Sequence, residues 1–359
     1  MARIINQVAV FGLGKVGELV AVMLGESGFK VIGYDSAPRD DLDFEVRALD
    51  VQDDAALREG LRGVDAIISC LPYHLNEAVA EAAAATGVHY FDLTEDVPTT
   101  NRVIELADGA DVAFAPQCGL APGLIGIIGA SIAKTFDEIR SIELKVGALP
   151  QNPTGLLGYA INWSPEGVVN EYLNDCEVLR SGNRQMVPAM TEKERVVIGG
   201  IELEAALTSG GLGTMCQTYE GDVHRLDYKT LRYPGHFDQM HFLFDELNLR
   251  DQPELVGQML IASKPPVNDD IVYIHAAVEG VKAGQPFREN YVRGYKPIDI
   301  SGRIWRAISW TTAASAVSVV ELVADGVLPS SGFIKQEDIT LEQLYSTQAG
   351  RHFAEQGRI

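Results

Sequence analysis

Basic residues are scarce in this chain. Its 359 residues hold 29 Lys and Arg against 50 Asp and Glu, a net charge of −21 at neutral pH. A nucleic-acid partner requires clustered Lys and Arg over its phosphates, so that class is excluded. The acidity is compatible with a cationic substrate, although bulk charge of this kind serves solubility first. Cysteine is sparse too. Cys70, Cys118, Cys176 and Cys216 form no CxxC pair and match no zinc spacing. That predicts free thiols in a reducing cytoplasm and no disulfide framework. The seven histidines show no metal-ligand spacing, so no metal is expected. The first residues carry a single Arg before an apolar strand, which predicts no secretory signal. The uncharged run Val112–Ala133 has bilayer length, but Pro116, Gln117, Gly119, Pro122 and Gly123 interrupt it. It reads as a buried strand, a tight loop and a buried helix, and no membrane partner is expected. Repeats and low-complexity tracts are absent. With 46% hydrophobic residues, the chain can nevertheless bury sizeable cores.

What is present begins at Gln7. The β-rich run ending in Phe11 leads into Gly12-Leu-Gly14-Lys15-Val16-Gly17, and apolar residues at helical spacing follow from Leu19 to Leu24. In a dinucleotide-binding turn the first glycine allows the tight bend. The second lets the backbone approach a pyrophosphate, and the third lets helix and strand pack closely. The free N–H groups at the helix start then meet negative charge. Alone the motif fits any Gly-rich α/β turn; here a second strand follows and ends at Asp35, about 20 residues beyond Gly12, where an acid holds the adenosine ribose 2′-OH. A carboxylate there, followed by Ser36, repels a 2′-phosphate and favours NAD over NADP. Arg39 lies close enough to weaken that preference without reversing it.

Strand and helix patterns alternate over residues 1–121, the signature of a parallel doubly wound sheet. The pattern predicts strands at Val8–Phe11, Val31–Tyr34, Glu45–Ala48, Ala66–Cys70, His89–Asp92 and Val112–Ala115. Helices are predicted at Gly14–Ser27, Asp54–Arg62, Leu75–Ala85 and Thr100–Asp108. Ligands bind beyond the carboxyl ends of such strands. Asp50 and Val51 would therefore lie beside the adenine. Cys70, Leu71, Pro72 and Tyr73 would lie near the nicotinamide. Residues 122–302 read as an α+β substrate-binding and dimerisation domain with a mixed or antiparallel sheet. Its strands are predicted at Ile139–Gly147, Gln185–Val187, Val196–Ile198, Leu203–Thr208 and Val223–Tyr228, with a hairpin of Val272–Glu279 and Gln285–Tyr291. Residues 303–359 form a helical segment expected to return to the first domain. The long strand-rich second domain makes a homodimer, or a dimer of dimers, the expected assembly.

Five stretches in the middle of the chain are more distinctive. They are Pro116-Gln-Cys-Gly-Leu-Ala-Pro-Gly123, Gly147-Ala-Leu-Pro-Gln-Asn-Pro153, Trp163-Ser-Pro-Glu-Gly-Val-Val-Asn-Glu-Tyr172, Thr208-Ser-Gly-Gly-Leu-Gly-Thr214 and Tyr228-Lys-Thr-Leu-Arg-Tyr-Pro-Gly-His236. Taken in order, they resemble the saccharopine dehydrogenase-like superfamily over nearly the whole chain, and within it the NAD-dependent L-lysine 6-dehydrogenases. The resemblance implies oxidation at the ε-carbon of L-lysine, with hydride passing to NAD and the imine hydrolysed to semialdehyde and ammonia. The alternatives are a dehydrogenase of a secondary-amine adduct, of the saccharopine or carboxynorspermidine type, and an NAD-binding regulator without turnover. The chain departs from the family pattern at Gln117, where an Asp is common, and a neutral amide cannot act as a base.

That chemistry makes physical demands on the site. The lysine ammonium, with a pKa of about 10.4, must lose a proton before hydride leaves. Asp92 and Glu95 follow the fifth strand and are candidates for this step, Asp92 first. Asp92 equally suits a turn acceptor in Asp-Leu-Thr-Glu. Tyr73 could line the nicotinamide pocket or simply pack. Cys118 reads as a close neighbour of the nicotinamide and not as a nucleophile, with Gly119 allowing backbone approach. The substrate carboxylate requires a cation. Arg232 suits a bidentate grip, with Lys229, His236 and Tyr172 beside it, although an ion pair fixing the loop fits Arg232 as well. Ser164, Pro165 and Glu166 read more simply as a helix start.

Overall fold

A computed structural model describes residues 3–356, which fall into two compact units. The first unit joins the residues up to Ile127 to Ser309–Glu355, and the second runs from Ile128 to Ile308.

The first unit is a parallel sheet wrapped by helices. Its strands are β1 (Gln7–Phe11), β2 (Lys30–Asp35), β3 (Glu45–Ala48), β4 (Ala66–Ser69), β5 (His89–Asp92) and β6 (Ala113–Ala115). Their order is β6-β5-β4-β1-β2-β3, and the short strand Gly332–Phe333 adds to the β6 edge. The sheet grows one way from β1 and the other way from β4, so its switch point lies at the carboxyl ends of this central pair. All four residues of β4 are buried, as expected where helices cover both faces.

Two of its helices begin three residues away from the predicted start, each for a local reason. Helix α1 (Gly17–Glu26) starts three residues after Gly14, because Gly14, Lys15 and Val16 remain in the turn. Helix α2 is Asp54–Gly60 and α3 is Asn76–Thr86. Helix α4 (Val97–Ala107) starts before the predicted Thr100. Asp96 caps it, accepting the Thr99 N–H at 2.9 Å and the Thr99 hydroxyl at 2.7 Å, and Pro98 fills its first turn.

The helix Ala307–Ala324 is long and apolar enough to cross a membrane, yet 94% of it is buried within the fold, as in a core helix. Its C-terminal end is tied to the start of the chain: Ala324 O accepts the Ile4 N–H at 3.0 Å, and Arg3 pairs with Asp325 at 2.7 Å.

The second unit is built on an eight-stranded mixed sheet. Helix α5 (Ile125–Ala133) leads into β7 (Glu138–Pro150). Helix α6 (Pro165–Leu173) follows, capped by Ser164, whose Oγ accepts the Gly167 N–H at 3.0 Å. Then come β8 (Cys176–Arg180), β9 (Asn183–Val187), β10 (Glu194–Ile198), β11 (Ile201–Leu207), β12 (Arg225–Arg232), β13 (Asp270–Lys282) and β14 (Gln285–Tyr295). The order is β10-β11-β12-β7-β13-β14, with the β8–β9 hairpin joined to β12. Only β12 and β7 run parallel. Strand β8 has no counterpart in the sequence reading. Strand β12 continues past the predicted end at Tyr228, because Lys229 and Arg232 are buried against partners and do not mark a loop. The β13–β14 hairpin turns on Ala283 and Gly284, both left-handed at φ of 50° and 72°, as a two-residue primed turn requires.

Candidate active site

At the switch point of the first unit, the glycines behave differently from one another. Gly12 has φ +85°, and a Cβ there would lie 3.0 Å from Leu71 Cδ2 and 3.1 Å from Cys70 O. A Cβ on Gly17 would run into the Gly12 carbonyl oxygen. Both are held by packing. Gly14 is exposed, and no atom lies within 4 Å of a Cβ built on it. The α1 N-cap position is Val16, which offers no side-chain acceptor to the helix N–H groups. A bare backbone face beside an uncapped helix start fits a dinucleotide pyrophosphate.

Asp35 is fixed by the same turn. Its Oδ2 accepts the Leu13 N–H at 2.8 Å and its Oδ1 the Ala37 N–H at 3.0 Å. Ser36 and Lys15 are exposed. Asp50 is exposed and accepts the Gln52 N–H at 3.0 Å, while Val51 packs on the core. The Cys70 N–H donates to Phe11 O at 2.8 Å, and burial, with Asp92 nearby, pushes the Cys70 thiol up to about 12. It therefore stays protonated and apolar. Leu71 and Pro72 lead into a single tight turn, Tyr73–Leu75. Tyr73 lines an open recess of about 410 Å³ together with His74, Glu77, Asp96 and Arg102.

The two candidate acids have different surroundings. Asp92 is fully buried. Its Oδ1 accepts the N–H groups of Thr94 and Gln117, both at 2.9 Å, and its Oδ2 accepts the Tyr90 hydroxyl at 2.7 Å. It ties the end of β5 to the loop after β6. Burial raises its carboxyl to about 6, against these three donors, which lower it. Glu95 is half-buried, and burial pushes its carboxyl up to about 7, helped by Asp96 and Asp92. Gln117 has a left-handed φ of 64° and donates from Nε2 to Thr100 Oγ1 at 3.0 Å. Its side chain thus braces α4. Cys118 is fully buried: its thiol donates to Ala115 O at 2.9 Å, and Gln336 Nε2 reaches its sulfur at 3.3 Å. Burial, with Asp92, pushes that thiol well above its usual range. A Cβ on Gly119 would sit at an ordinary contact distance, 3.4 Å from Pro122 O, so packing of the turn does not demand a glycine there.

The candidates in the second unit separate into two groups. Arg232, Tyr172 and His236 share one buried cluster. The His236 Nδ1 lies 2.9 Å from Leu157 O, and a carbonyl can only accept, so Nδ1 carries the proton. Burial and then Arg232 lower His236 to about 3, so its Nε2 is bare and accepts the Tyr172 hydroxyl at 3.0 Å. The Tyr172 oxygen in turn accepts Arg232 Nε at 2.7 Å. Arg232 also donates to Leu231 O at 3.0 Å, pairs with Glu171 at 3.6 Å and lies 4.6 Å over the Tyr159 ring. Lys229 belongs elsewhere: its Nζ donates to Glu192 O at 2.6 Å and pairs with Glu194 at 3.0 Å.

Sequence reasoning missed Tyr90, Glu171, Tyr159 and Gln336. Tyr90 was within reach, because it shares a strand face with Asp92 two residues on. Glu171 was within reach too, standing directly before Tyr172 in the Trp163–Tyr172 motif, whereas Tyr159 and Gln336 come from segments that carry no local signal.

Two family models match. One, for the saccharopine dehydrogenase NADP binding domain, covers residues 8–110, and the other, for the saccharopine dehydrogenase C-terminal domain, covers residues 119–351. The chain belongs to the saccharopine dehydrogenase family. Its first unit is accordingly a nicotinamide-dinucleotide-binding domain. A saccharopine dehydrogenase [NADP(+), L-glutamate-forming] of Schizosaccharomyces pombe is 28% identical over 141 residues, 38% of this chain and 31% of that protein. The mitochondrial alpha-aminoadipic semialdehyde synthase of Mus musculus is 27% identical over 135 residues, 36% of this chain and 15% of that one. The chain thus aligns with less than a third of the length of these relatives. Among solved structures, apo saccharopine dehydrogenase (L-Glu forming) from Saccharomyces cerevisiae has a TM-score of 0.70 at 16% identity, covering 96% of this chain and 98% of that one. The DAP dehydrogenase of C. glutamicum in complex with DAP has a TM-score of 0.52 at 14% identity, covering 98% and 99%. At these identities the likeness is one of fold.

Proposed function

We propose that this protein is an NAD-dependent dehydrogenase that oxidises the ε-amino group of L-lysine, or of a close analogue, to the semialdehyde and ammonia. The observation that carries the reading is Glu95, a half-buried carboxyl at the carboxyl end of the sheet, held at about 7 by burial. A base poised near neutrality is what removal of an ammonium proton demands. The bound nicotinamide supplies the hydride acceptor. Gly12, Gly14 and Gly17 shape its pyrophosphate site, and Asp35 supplies a carboxylate for the adenosine ribose. Glu95 takes the proton from the substrate ammonium. Asp92 positions the segment that carries Glu95 by fixing Thr94 and tying it to Gln117 in the loop after β6.

A second reading, oxidation of a secondary-amine adduct of the saccharopine type, is favoured by the names of the aligned relatives. Such an adduct carries several carboxylates and requires several open cations. Arg232, the candidate carboxylate grip, already serves Tyr172, Leu231 and Glu171, which favours the smaller substrate.

Formation of reduced nicotinamide with a panel of amino acids, polyamines and saccharopine separates the readings. L-lysine is expected to turn over with NAD. Glu95→Gln should lower kcat by about 10²–10⁴-fold and remove the lower limb of the pH–rate profile near 7, leaving NAD binding intact. Turnover of saccharopine alone selects the second reading. Turnover of nothing, with NAD still bound, selects a regulator.

A further inference from the structure

The loop after Asp35 carries one cation, Arg39, and two carboxylates hold it. Its Nη1 donates to Glu18 at 3.0 Å. Its Nε and Nη2 donate to the two oxygens of Asp41 at 2.9 and 3.1 Å. The grips come from different places. Asp41 is exposed on the same loop, with 70% of its side chain open to solvent. Glu18 is buried in the first turn of α1, directly after Gly17 of the phosphate turn. Asp35 is joined to that turn by the Leu13 N–H. Arg39 and its two carboxylates therefore lie on the loop after Asp35 and on the helix after Gly17, the two elements that flank the adenosine ribose site of a dinucleotide fold.

A 2′-phosphate is recognised by a guanidinium that presents its N–H fork. Charge-assisted bonds to carboxylates compete directly with that role, and the bidentate grip of Asp41 occupies one edge of the fork. We propose that Glu18 and Asp41 set the dinucleotide preference by holding Arg39, so that the loop accepts a free ribose 2′-OH and rejects a 2′-phosphate. The inference rests on the NAD reading above and extends it from Asp35 to a four-residue set. It also gives a physical reason why a chain matching an NADP-binding family model should prefer NAD.

The test is direct binding of NADH and NADPH to the full chain by calorimetry, without any amine substrate. Wild type should bind NADH more tightly. In Glu18→Gln/Asp41→Asn, NADPH affinity should rise at least about tenfold while NADH affinity stays within about threefold. Adding Arg39→Met to that variant should abolish the gain. An unchanged NADPH affinity in the double variant overturns the inference. So does a gain that survives Arg39→Met, because removal of negative charge alone would then explain it. Should the buried Glu18 change lower the melting temperature, Asp41→Asn alone must still give a smaller gain of the same sign, and no gain overturns the inference. Wild type binding NADPH as tightly as NADH defeats the NAD reading itself. A wild type that prefers NADH, with an unresponsive double variant, defeats only the role of Glu18 and Asp41.

Discussion

Two carboxyls three residues apart illustrate how surroundings decide what a residue can do. Asp92 meets three donors and no solvent, so its first effect is on the fold. Asp92→Ala strands the Thr94 and Gln117 N–H groups, at a cost of roughly 1–3 kcal/mol for each group left unpaired, and leaves the Tyr90 hydroxyl with Asn76 O at 3.4 Å. Thermal melts should show this loss directly, with an unchanged melting temperature counting against the arrangement. Both acids have folded values above their ordinary ones, 3.8 rising to about 6 for Asp92 and 4.5 rising to about 7 for Glu95. Between the ordinary and folded values the folded chain binds more protons than the unfolded chain, so stability falls as pH rises through that window. Denaturant melts should therefore show stability declining between pH about 4 and about 7 from these groups. Glu95→Gln should flatten the upper part of that decline. A slope of the same size in Glu95→Gln would mean that other groups produce it.

The glycine turn makes the corresponding argument for an element. Gly17 and Gly14 stand in one motif, but only Gly17 has no room for a Cβ. Gly17→Ala should separate α1 from β1 and reduce both the melting temperature and NADH affinity. Gly14→Ala should leave stability within about 0.5 kcal/mol and weaken NADH binding alone, because its methyl would occupy the pyrophosphate face. Calorimetry and melts on the two variants check the contrast, and equal behaviour would remove the pyrophosphate from Gly14. Elements of this kind were legible in the sequence because their signals are local: β3 and β5 fall where the alternation places them, at Glu45–Ala48 and His89–Asp92. What was not legible depends on partners far along the chain. Strand β12 reads as ending at Tyr228 because nothing local announces that Glu194 and Glu171 will bury Lys229 and Arg232. The hydrogen bonds of Cys118 and Gln117 leave no local signal, because their partners, Gln336 and Thr100, lie 218 and 17 residues away. Helix α4 was misplaced because Asp96 was not recognised as its cap.

At the scale of the molecule, the first unit is discontinuous, and its second segment is bound by particular atoms. Glu321, buried in the helix Ala307–Ala324, accepts the Ser27 hydroxyl at 3.0 Å and the N–H groups of Gln348 and Ala349 at 2.7 and 3.0 Å. Gln336 donates to Pro116 O at 2.9 Å, and Gly332–Phe333 pairs with Ala113–Phe114 at the edge of the sheet. A fragment ending at Ile127 would lose all of these and expose the β6 edge, where unpaired backbone groups promote aggregation. It should fail to melt cooperatively. The same fragment joined through a flexible linker to Ser309–Glu355 restores every contact named and should fold as a unit. NADH at a hundredfold excess over its Kd should then stabilise it by about 2.7 kcal/mol, because the ligand binds only the folded form. Circular dichroism melts of the two fragments, with and without NADH, decide the matter. A cooperative, NADH-stabilised transition in the short fragment would show that the returning segment is dispensable to the dinucleotide domain.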